Sequence, residues 1–199
     1  MDAQDFRTLK LLELIETDSV SSQRELAKEL EVSLGLVNSF IKRLVNKGYF
    51  KITTIPKNRL KYILTPKGLA EKTRLTYEYI HFSFDFYKKA RRNFADLFRQ
   101  LEQQGFRTVA FYGANDFAEI AYITLQETSL KLAAVADNAK KDQIFLGHRI
   151  IDSHQLASEI FDRLIVNEAD PDNKIRKELI YRGILREKIV HVLNCRPSN

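Results

Sequence analysis

The order of helix caps and β-branched runs in the first 66 residues constrains the fold of this chain more than any other feature. Residues 5–17 (DFRTLKLLELIET) place apolar side chains three and four positions apart, which predicts an amphipathic helix. A turn-like segment follows, and Ser21 or Ser22 can cap a second helix over residues 23–30. The chain is therefore predicted to begin with two short helices joined by a turn.

A third helix is delimited at both ends. Ser33 can cap its start, the helix is predicted to run from about residue 34 to residue 46, and Gly48 follows as the glycine that ends it. The side chains predicted to face the core are Val37, Ile41, Leu44 and Val45.

A predicted two-stranded hairpin follows the third helix. Residues 49–55 (YFKITTI) and 60–65 (LKYILT) are rich in β-branched and aromatic residues, and the basic, proline-containing segment 56–59 joins them. Thr65 and Pro66 are typical of the N-cap and the first position of another helix. The order helix, helix, turn, helix, hairpin, helix is that of a winged helix-turn-helix domain, an α+β fold.

Charge is distributed unevenly along the chain. The formal net charge is +6, but residues 32–78 contain 10 basic and 2 acidic side chains, whereas residues 1–31 contain 4 basic and 8 acidic ones. Residues 105–199 are neutral, with 13 side chains of each sign. A basic segment joined to a neutral half predicts one surface that binds polyanions.

The third helix carries the residues that we expect to read DNA. In a helix-turn-helix, the second helix of the pair presents its N-terminal half to base edges in the major groove. Asn38 can make a bidentate contact to adenine, Lys42 or Arg43 can reach guanine or phosphate, and Gly35 lets the helix approach the DNA backbone closely. The basic hairpin tip can enter the minor groove or bind phosphates. The predicted DNA-binding residues are Ser33, Gly35, Asn38, Ser39, Lys42, Arg43, Lys57, Asn58 and Arg59.

Residues 6–79 resemble the winged-helix domain of MarR-type regulators, particularly the group associated with exopolysaccharide gene clusters. The resemblance is carried by SQRELAKELEVSLGLVNSFIKRLVNKGYF, the hairpin, and LTPKGLAEKTRLTY. It implies binding of double-stranded DNA, usually as a homodimer.

The helix that begins near Thr65 is predicted to continue for a long way. Apolar residues step by threes and fours from Leu75 and form a near-heptad seam, which is typical of a linker and dimerisation helix. Gln103, Gln104 and Gly105 end it. The seam has one or two polar interruptions and consists of Leu75, Tyr79, Phe82, Phe86, Lys89 or Ala90, Asn93 or Phe94, Leu97 and Leu101.

Strands and helices alternate after Gly105. The strands RTVAFYG, LKLAAVAD, RLIVNE and KIVHVL are separated by predicted helices, one of them through HQLASEIF. This alternation predicts a small Rossmann-like α/β domain with a parallel sheet. The predicted division is residues 1–78 for the winged helix, 79–104 for the linker helix and 105–199 for the α/β domain.

A degenerate dinucleotide fingerprint follows the first of these strands. Gly113, Asn115 and Ala118 occupy the three positions of G-x-G-x-x-G, and Asp116 begins the helix, where a carboxylate would repel a phosphate. Asp137 ends the second strand, where an acidic residue would bind ribose hydroxyls. The candidate ligand-binding residues are Gly113, Ala114, Asn115, Asp116 and Asp137.

The C-terminal half resembles two known groups. Gly113-Ala114-Asn115, Asp137-Asn138 and Gly147-His148 are similar to motifs in the Rossmann-like unit of sugar-modifying enzymes, which implies a nucleotide sugar. Gly113-Ala114 and the ending IVHVLNCRP are similar to the redox-sensing Rex repressors, which join a winged helix to an NADH-binding domain. Asn115 and Ala118 depart from the Rex fingerprint. The two resemblances give NAD(H) and a nucleotide sugar as alternative ligands.

The sequence gives little indication of disulfides, metal sites or enzyme active sites. Cys195 is the only cysteine, the four histidines lack metal-ligand spacing, and the sequence contains no Walker lysine, GxSxG or HExxH motif. We therefore expect no disulfide, no metal and no enzyme activity. The N-terminus lacks the features of a signal peptide, and no apolar run approaches the ~18 residues of a membrane span, so we expect a cytoplasmic protein without a membrane contact.

These observations predict a homodimeric transcriptional regulator that binds double-stranded DNA. Its C-terminal domain is expected to sense a small anionic metabolite or to mediate assembly. The alternative is a nucleotide- or nucleotide-sugar-binding protein or enzyme module, in which the winged helix serves only as a tether.

Overall fold

The computed structural model describes residues 1–17, 22–55 and 59–192, with only the backbone for residues 54–55 and 59–60. Within these ranges no helix has both the length and the apolar character needed to cross a bilayer. The chain forms two compact units, which are described separately below.

The first unit, Met1–Asp85, contains three short helices, a two-stranded sheet and the beginning of a long helix. The side chain of Ser22 accepts a hydrogen bond from the Glu25 amide at 3.2 Å, and that of Ser33 accepts one from the Leu36 amide at 3.3 Å. The predicted N-caps of the second and third helices are therefore confirmed. The elements are α1 (Ala3–Glu16), α2 (Gln23–Glu29), α3 (Leu34–Asn46), β1 (Phe50–Ile55), β2 (Arg59–Leu64) and α4 (Pro66–Gln103).

The three helices and the hairpin share one core. β1 and β2 pair antiparallel, with Phe50 opposite Leu64, so the predicted hairpin is confirmed. The apolar faces of α1, α2 and α3 meet against Phe50 and Leu75. The side chains that are at most 1% exposed in this core are Leu11, Leu12, Leu26, Val37, Leu44, Phe50 and Leu75.

The beginning of α4 is held against the end of α3. Thr65 caps α4, because its hydroxyl accepts a hydrogen bond from the Gly68 amide at 3.0 Å, and its own amide donates to the Tyr49 carbonyl at 3.0 Å. Gly48 ends α3 with a φ of +75°. A Cβ on Gly68 would lie 1.9 Å from the Tyr49 carbonyl oxygen, so this close approach requires glycine.

The apolar positions of α4 divide between different environments. Leu75 is fully buried in the core of the first unit, whereas Phe94 and Leu101 are buried in the core of the second. Tyr79 and Phe82 are 41% and 53% exposed. The predicted seam is therefore not one continuous surface available to a second chain, because its two ends are already covered within this chain.

The second unit, Phe86–Asn199, contains a six-stranded sheet in the order β5-β6-β4-β3-β7-β8. The pairs from β6 to β8 are parallel, and β5 pairs antiparallel with β6. The predicted α/β domain with a mostly parallel sheet is confirmed. The elements are β3 (Thr108–Tyr112), α5 (Asp116–Leu125), β4 (Lys131–Ala136), β5 (Ile144–Phe145), β6 (His148–Ile151), β7 (Arg163–Val166), α6 (Lys174–Tyr181) and β8 (Ile189–His191).

The segment between β4 and β7 differs from the prediction. Residues 144–151 form a short hairpin, whose turn places Leu146 and Gly147 at φ +46° and +88°. The predicted helix through HQLASEIF is wrong, because the chain forms a 3-10 helix over Ser153–Ser158 instead. Asp152 caps this short helix and Gln155 bonds back to it, and the helix is shorter and tighter than the predicted one.

The sheet of the second unit is covered on both faces. Ala118 of α5 and Phe98 of α4 pack on one face together with Ile165. Leu179 of α6 packs on the opposite face together with Leu164. Successive residues of β7 therefore point to opposite faces, as expected for a strand.

Candidate nucleic-acid interface

The first half of α3 is open to solvent. Ser33 forms the N-cap, and Ser33, Gly35, Ser39 and Lys42 are all exposed. An alanine Cβ at Gly35 would meet no heavy atom of the described residues within 4 Å. The Ser39 hydroxyl donates to the Gly35 carbonyl at 3.1 Å, and its oxygen remains available as an acceptor. These four predicted residues therefore lie together on a face that a DNA groove could cover.

Two predicted DNA-binding residues are less accessible to solvent. Asn38 is half-buried, and its Oδ1 is hidden from solvent without a partner among the described residues. The Arg43 guanidinium lies 5.0 Å from the centre of the Phe40 ring, and its Nε is likewise buried and unpartnered. A bidentate contact from Asn38 needs both amide atoms, so this side chain has to rotate outward to read adenine. Their roles as base-reading residues stay predictions.

The tip of the hairpin can be located only in part. Lys57 and Asn58 lie outside the described residues, and Arg59 begins β2, where only its backbone is described. Lys51 on β1 is exposed and adds a cation to this hairpin.

Exposed apolar residues at the beginning of α3 were not expected from the sequence. Leu34 and Leu36 are 41% and 38% exposed, on the two sides of Gly35. Apolar side chains at this end of a recognition helix can contact thymine methyl groups. On α2, Arg24 and Lys28 are also exposed, where the first helix of the motif crosses the DNA backbone. The sequence could have indicated their exposure, because Leu34 and Leu36 lie outside the apolar stripe of α3.

The candidate ligand residues of the second unit meet at the carboxyl end of the parallel strands. Gly113 follows β3 with a φ of +90°, and the Ala114 amide donates to Asp137 Oδ2 at 3.0 Å. Asn115 caps α5, because its Oδ1 accepts from the Ala118 amide at 3.0 Å. Asp116 is exposed in the first turn of α5. Gly113, Ala114, Asn115 and Asp137 therefore lie together, with Asp116 at the solvent side.

Three residues that were not predicted complete this edge. Lys140 donates from its Nζ to the Ala114 carbonyl, and its amide, like that of Ala139, donates to Asp137 Oδ1. Asn167 follows β7, and its carbonyl accepts from Asn115 Nδ2 at 3.0 Å. Glu168 lies against Gly113, where a Cβ on the glycine would be 2.9 Å from its Oε1. The sequence could have indicated these residues, because they follow predicted parallel strands and ligands of α/β folds bind at that position.

The dinucleotide implied by the Rex resemblance does not fit this edge. A pyrophosphate would need the free amide of Ala114 and an open space over Gly113. Asp137 already accepts from that amide, and the side chain of Glu168 occupies that space. Asp116 and Glu119 add two further acidic side chains in the first turn of α5.

A half-buried histidine, with both ring nitrogens hidden from solvent, lies at the end of β8. Neither ring nitrogen of His191 has a hydrogen-bond partner among the described residues. Burial lowers the pKa of its imidazole below the usual value, while the nearby Asp170 carboxylate acts in the opposite direction. Asp170 itself accepts from the amides of Ile175 and Arg176 at 3.1 and 2.9 Å. Across the described ranges, no three His, Cys, Asp or Glu residues are grouped in a way that would hold a metal ion.

Two family models match the chain. A model described as winged helix-turn-helix DNA-binding matches residues 5–51, which comprise most of α1, all of α2 and α3, and the start of β1. The first unit carries a winged helix-turn-helix DNA-binding domain. A second model, described as C2185-like, N-terminal, matches residues 106–190 of the α/β domain. No curated protein matches the chain.

Proposed function

We propose that this protein is a transcriptional regulator that binds double-stranded DNA through its winged helix. One observation carries the proposal: the helix-turn-helix matched by the family model leaves the first half of α3 open, within a segment of 10 basic and 2 acidic side chains. Ser33 and Lys42 are exposed at positions from which a helix reaches base edges or phosphates.

The proposed mechanism divides the work between α3 and the hairpin. The N-terminal half of α3 enters the major groove, where Leu34 and Leu36 add apolar contacts beside Gly35. Arg24 and Lys28 on α2, together with the basic hairpin tip, bind phosphates and fix the position of the helix. Phosphate contacts carry no sequence information, so sequence preference comes from α3.

We propose that the regulator acts as a homodimer, as the MarR-type resemblance implies. The support in this structure is a row of large apolar side chains on α4: Tyr77 is 65% exposed, Ile80 44% and Phe84 59%. Their spacing of three and four residues places them on one face of the helix. Soluble proteins rarely leave such a row uncovered, so a second copy is the proposed partner.

The second unit is proposed to sense a ligand or to mediate assembly, and not to catalyse a reaction. Taken in chain order without β5, its parallel strands lie in the spatial order 3-2-1-4-5. This is the order of dinucleotide-binding doubly wound folds, and it supports a Rossmann-like classification. The proposed ligand position is the carboxyl edge between β3 and β7, where that order reverses. The anionic metabolite predicted from the sequence is poorly supported, because the carboxylates of Asp137 and Glu168 lie there.

DNA binding at several salt concentrations tests the proposal. The wild type is compared with the variant K42A/K57A/R59A on duplexes from upstream of its own gene and on scrambled duplexes. The control variant K131A/K174A/R186A removes the same charge from exposed positions of the second unit. We expect tighter binding to the upstream duplex, a steep loss with salt, and a weaker and less salt-dependent interaction in the first variant alone. Equal weakening in both variants, or negligible binding of the wild type at low salt, would overturn the proposal.

A further inference from the structure

Cations lie at the amino-terminal ends of four neighbouring strands in the second unit. Lys131 and Arg163 are the first residues of β4 and β7. Arg107 and Lys188 immediately precede β3 and β8. These strands are neighbours in the order β4-β3-β7-β8 and run parallel, so their amino-terminal ends meet at one edge of the sheet. With about 4.8 Å between strands, the row of cations spans roughly 14 Å.

Two of these cations are held at the edge by contacts of their side chains. The guanidinium carbon of Arg163 lies 3.7 Å from the centre of the Phe106 ring, and its Nη1 donates to the Asp162 carbonyl at 2.8 Å. Lys188 Nζ donates to the Phe161 carbonyl at 2.8 Å and lies 5.1 Å from the centre of that ring. Both side chains are still partly exposed. Because they are already ordered, a partner that binds them loses less side-chain entropy.

The carboxylates near this edge are bound to other groups. In the described part of the chain, none of the four cations forms an ion pair with a carboxylate. Asp162 Oδ2 accepts from the amides of Arg107 and Thr108 at 2.7 and 2.9 Å. Glu102 Oε1 accepts from the Ser129 amide and hydroxyl at 2.7 and 2.6 Å. The remaining N–H donors of the cations are therefore available to an external anion.

Exposed aliphatic side chains lie beside the same cations. Ile160 is 90% exposed and precedes Phe161, whose carbonyl accepts from Lys188 Nζ. Leu185 is 56% exposed, and its carbonyl accepts from the Lys188 amide at 2.9 Å. Two aliphatic groups thus flank one ammonium group. We call this region the amino-edge surface, and it consists of Arg107, Lys131, Ile160, Arg163, Leu185 and Lys188.

A partner for the amino-edge surface has to supply anions and apolar groups together. Guanidinium groups bind carboxylates through paired N–H donors, and aliphatic side chains are stabilised by apolar contact. A nucleic-acid backbone supplies phosphates without aliphatic groups, and residues 105–199 have no surplus of positive charge to attract it. The complementary partner is a peptide segment in which acidic and apolar residues alternate.

We propose that the amino-edge surface docks an acidic, amphipathic segment of a partner protein. Carboxylates of the segment bind Arg107, Lys131 and Arg163, and its apolar side chains contact Ile160 and Leu185. This protein contact lies at the end of the sheet opposite to the candidate ligand residues. It goes beyond the proposed function, because it requires neither DNA binding nor association through α4.

Fluorescence anisotropy with labelled peptides tests the proposal on the full-length protein. The probe peptide consists of four repeats of Asp-Asp-Leu. Repeats of Asn-Asn-Leu remove its charge, and repeats of Asp-Asp-Ser remove its apolar side chains. The surface variants are R107E/K131E and I160S, and the matched control K174E/K177E reverses two exposed cations on α6. Circular dichroism checks that each variant is folded, and I160S decides the test independently if R107E/K131E is not.

We expect saturable binding of the Asp-Asp-Leu peptide to the wild type and to K174E/K177E, with affinity at least about tenfold lower for R107E/K131E. I160S and both altered peptides should each weaken binding by about fivefold or more. No binding by the wild type, equal weakening in K174E/K177E, or equal affinity for the Asp-Asp-Ser peptide would overturn the proposal.

Two competing partners are tested on the same preparations. Phosphatidylserine vesicles and the upstream duplex should bind R107E/K131E as they bind the wild type. A selective loss of vesicle binding in this variant would assign the surface to a membrane, and a selective loss of duplex binding would assign it to DNA. Either loss would overturn the proposed protein contact. Duplex affinity of the wild type reports separately on the proposed DNA-binding function.

Discussion

The hydroxyl of Thr65 donates a hydrogen bond to the carbonyl oxygen of Gly48 over 2.6 Å. Thr65 Oγ1 in turn accepts a hydrogen bond from the Gly68 amide, so one side chain both begins α4 and fixes it to the end of α3. This gives the Leu-Thr-Pro-Lys-Gly segment a physical role: threonine caps, proline occupies the first helical position, and glycine permits the contact with Tyr49.

We predict that substitutions in this segment destabilise the first unit. T65A should lower the free energy of unfolding by about 1–2 kcal/mol through loss of the cap. G68A should cost more, because its Cβ would lie 1.9 Å from the Tyr49 carbonyl oxygen. Urea denaturation followed by circular dichroism measures both. A G68A variant as stable as the wild type would show that α4 does not approach Tyr49 this closely.

Gly35 provides a prediction that separates stability from DNA binding. G35A should stabilise α3 by roughly 0.5–1 kcal/mol, because alanine favours the helix and meets open space in this fold. We expect the same variant to bind the upstream duplex more weakly, since the added methyl group meets the DNA backbone. Urea denaturation and duplex titration are compared on one preparation. Unchanged or tighter duplex binding would remove Gly35 from the proposed interface.

The exposed row on α4 predicts which substitutions affect association. F84D should shift the protein from dimer to monomer in sedimentation velocity and keep its helical content, because Phe84 is 59% exposed. L75D should instead unfold the first unit, since Leu75 is fully buried there. K89D introduces the same residue at an exposed polar position five residues after Phe84, on a different face of α4, and should remain dimeric. A dimeric F84D, or a monomeric wild type, would refute the proposed surface.

Glu168 predicts a specific dependence of stability on pH. Its pKa is raised in the folded state by burial and by Asp137, with Lys140 opposing, so the folded protein holds this proton more tightly than the unfolded chain. The resulting stability is fully present below the unfolded pKa of about 4.3 and is lost as pH rises through the folded pKa.

E168Q should therefore have a higher Tm than the wild type near pH ~8, and this advantage should shrink toward pH ~4. Thermal denaturation across this range measures the difference. E187Q serves as the control, because Glu187 is exposed, and it should follow the wild type at every pH. An E168Q advantage that does not change with pH would indicate a packing effect instead of a titration.

Signals at the ends of helices could be read from the sequence because they act over three or four residues. Ser33 and Gly48 bound α3 as predicted, and Thr65 with Pro66 marked the start of α4. The hairpin at residues 144–151 was missed, because a strand of two residues is too short to show an alternating pattern.

Long-range relationships could not be read in this way. Gly113 and Glu168 are 55 positions apart, and they meet only because β3 and β7 are neighbours in the sheet. The same applies to Asn38 and Arg43, which share the outward face of α3 by spacing but are partly covered by their surroundings. Periodicity indicates which side of a helix a residue occupies, and not what packs beside it.

The sheet of the second unit ends in short strands on both sides. Within the described residues, β5 has two residues and β8 has three. Long, flat edges invite further strands from other molecules, which is a common route to fibrous aggregates. Edges this short offer few unpaired backbone groups, so we expect the described part of this sheet to resist edge-to-edge pairing with other molecules.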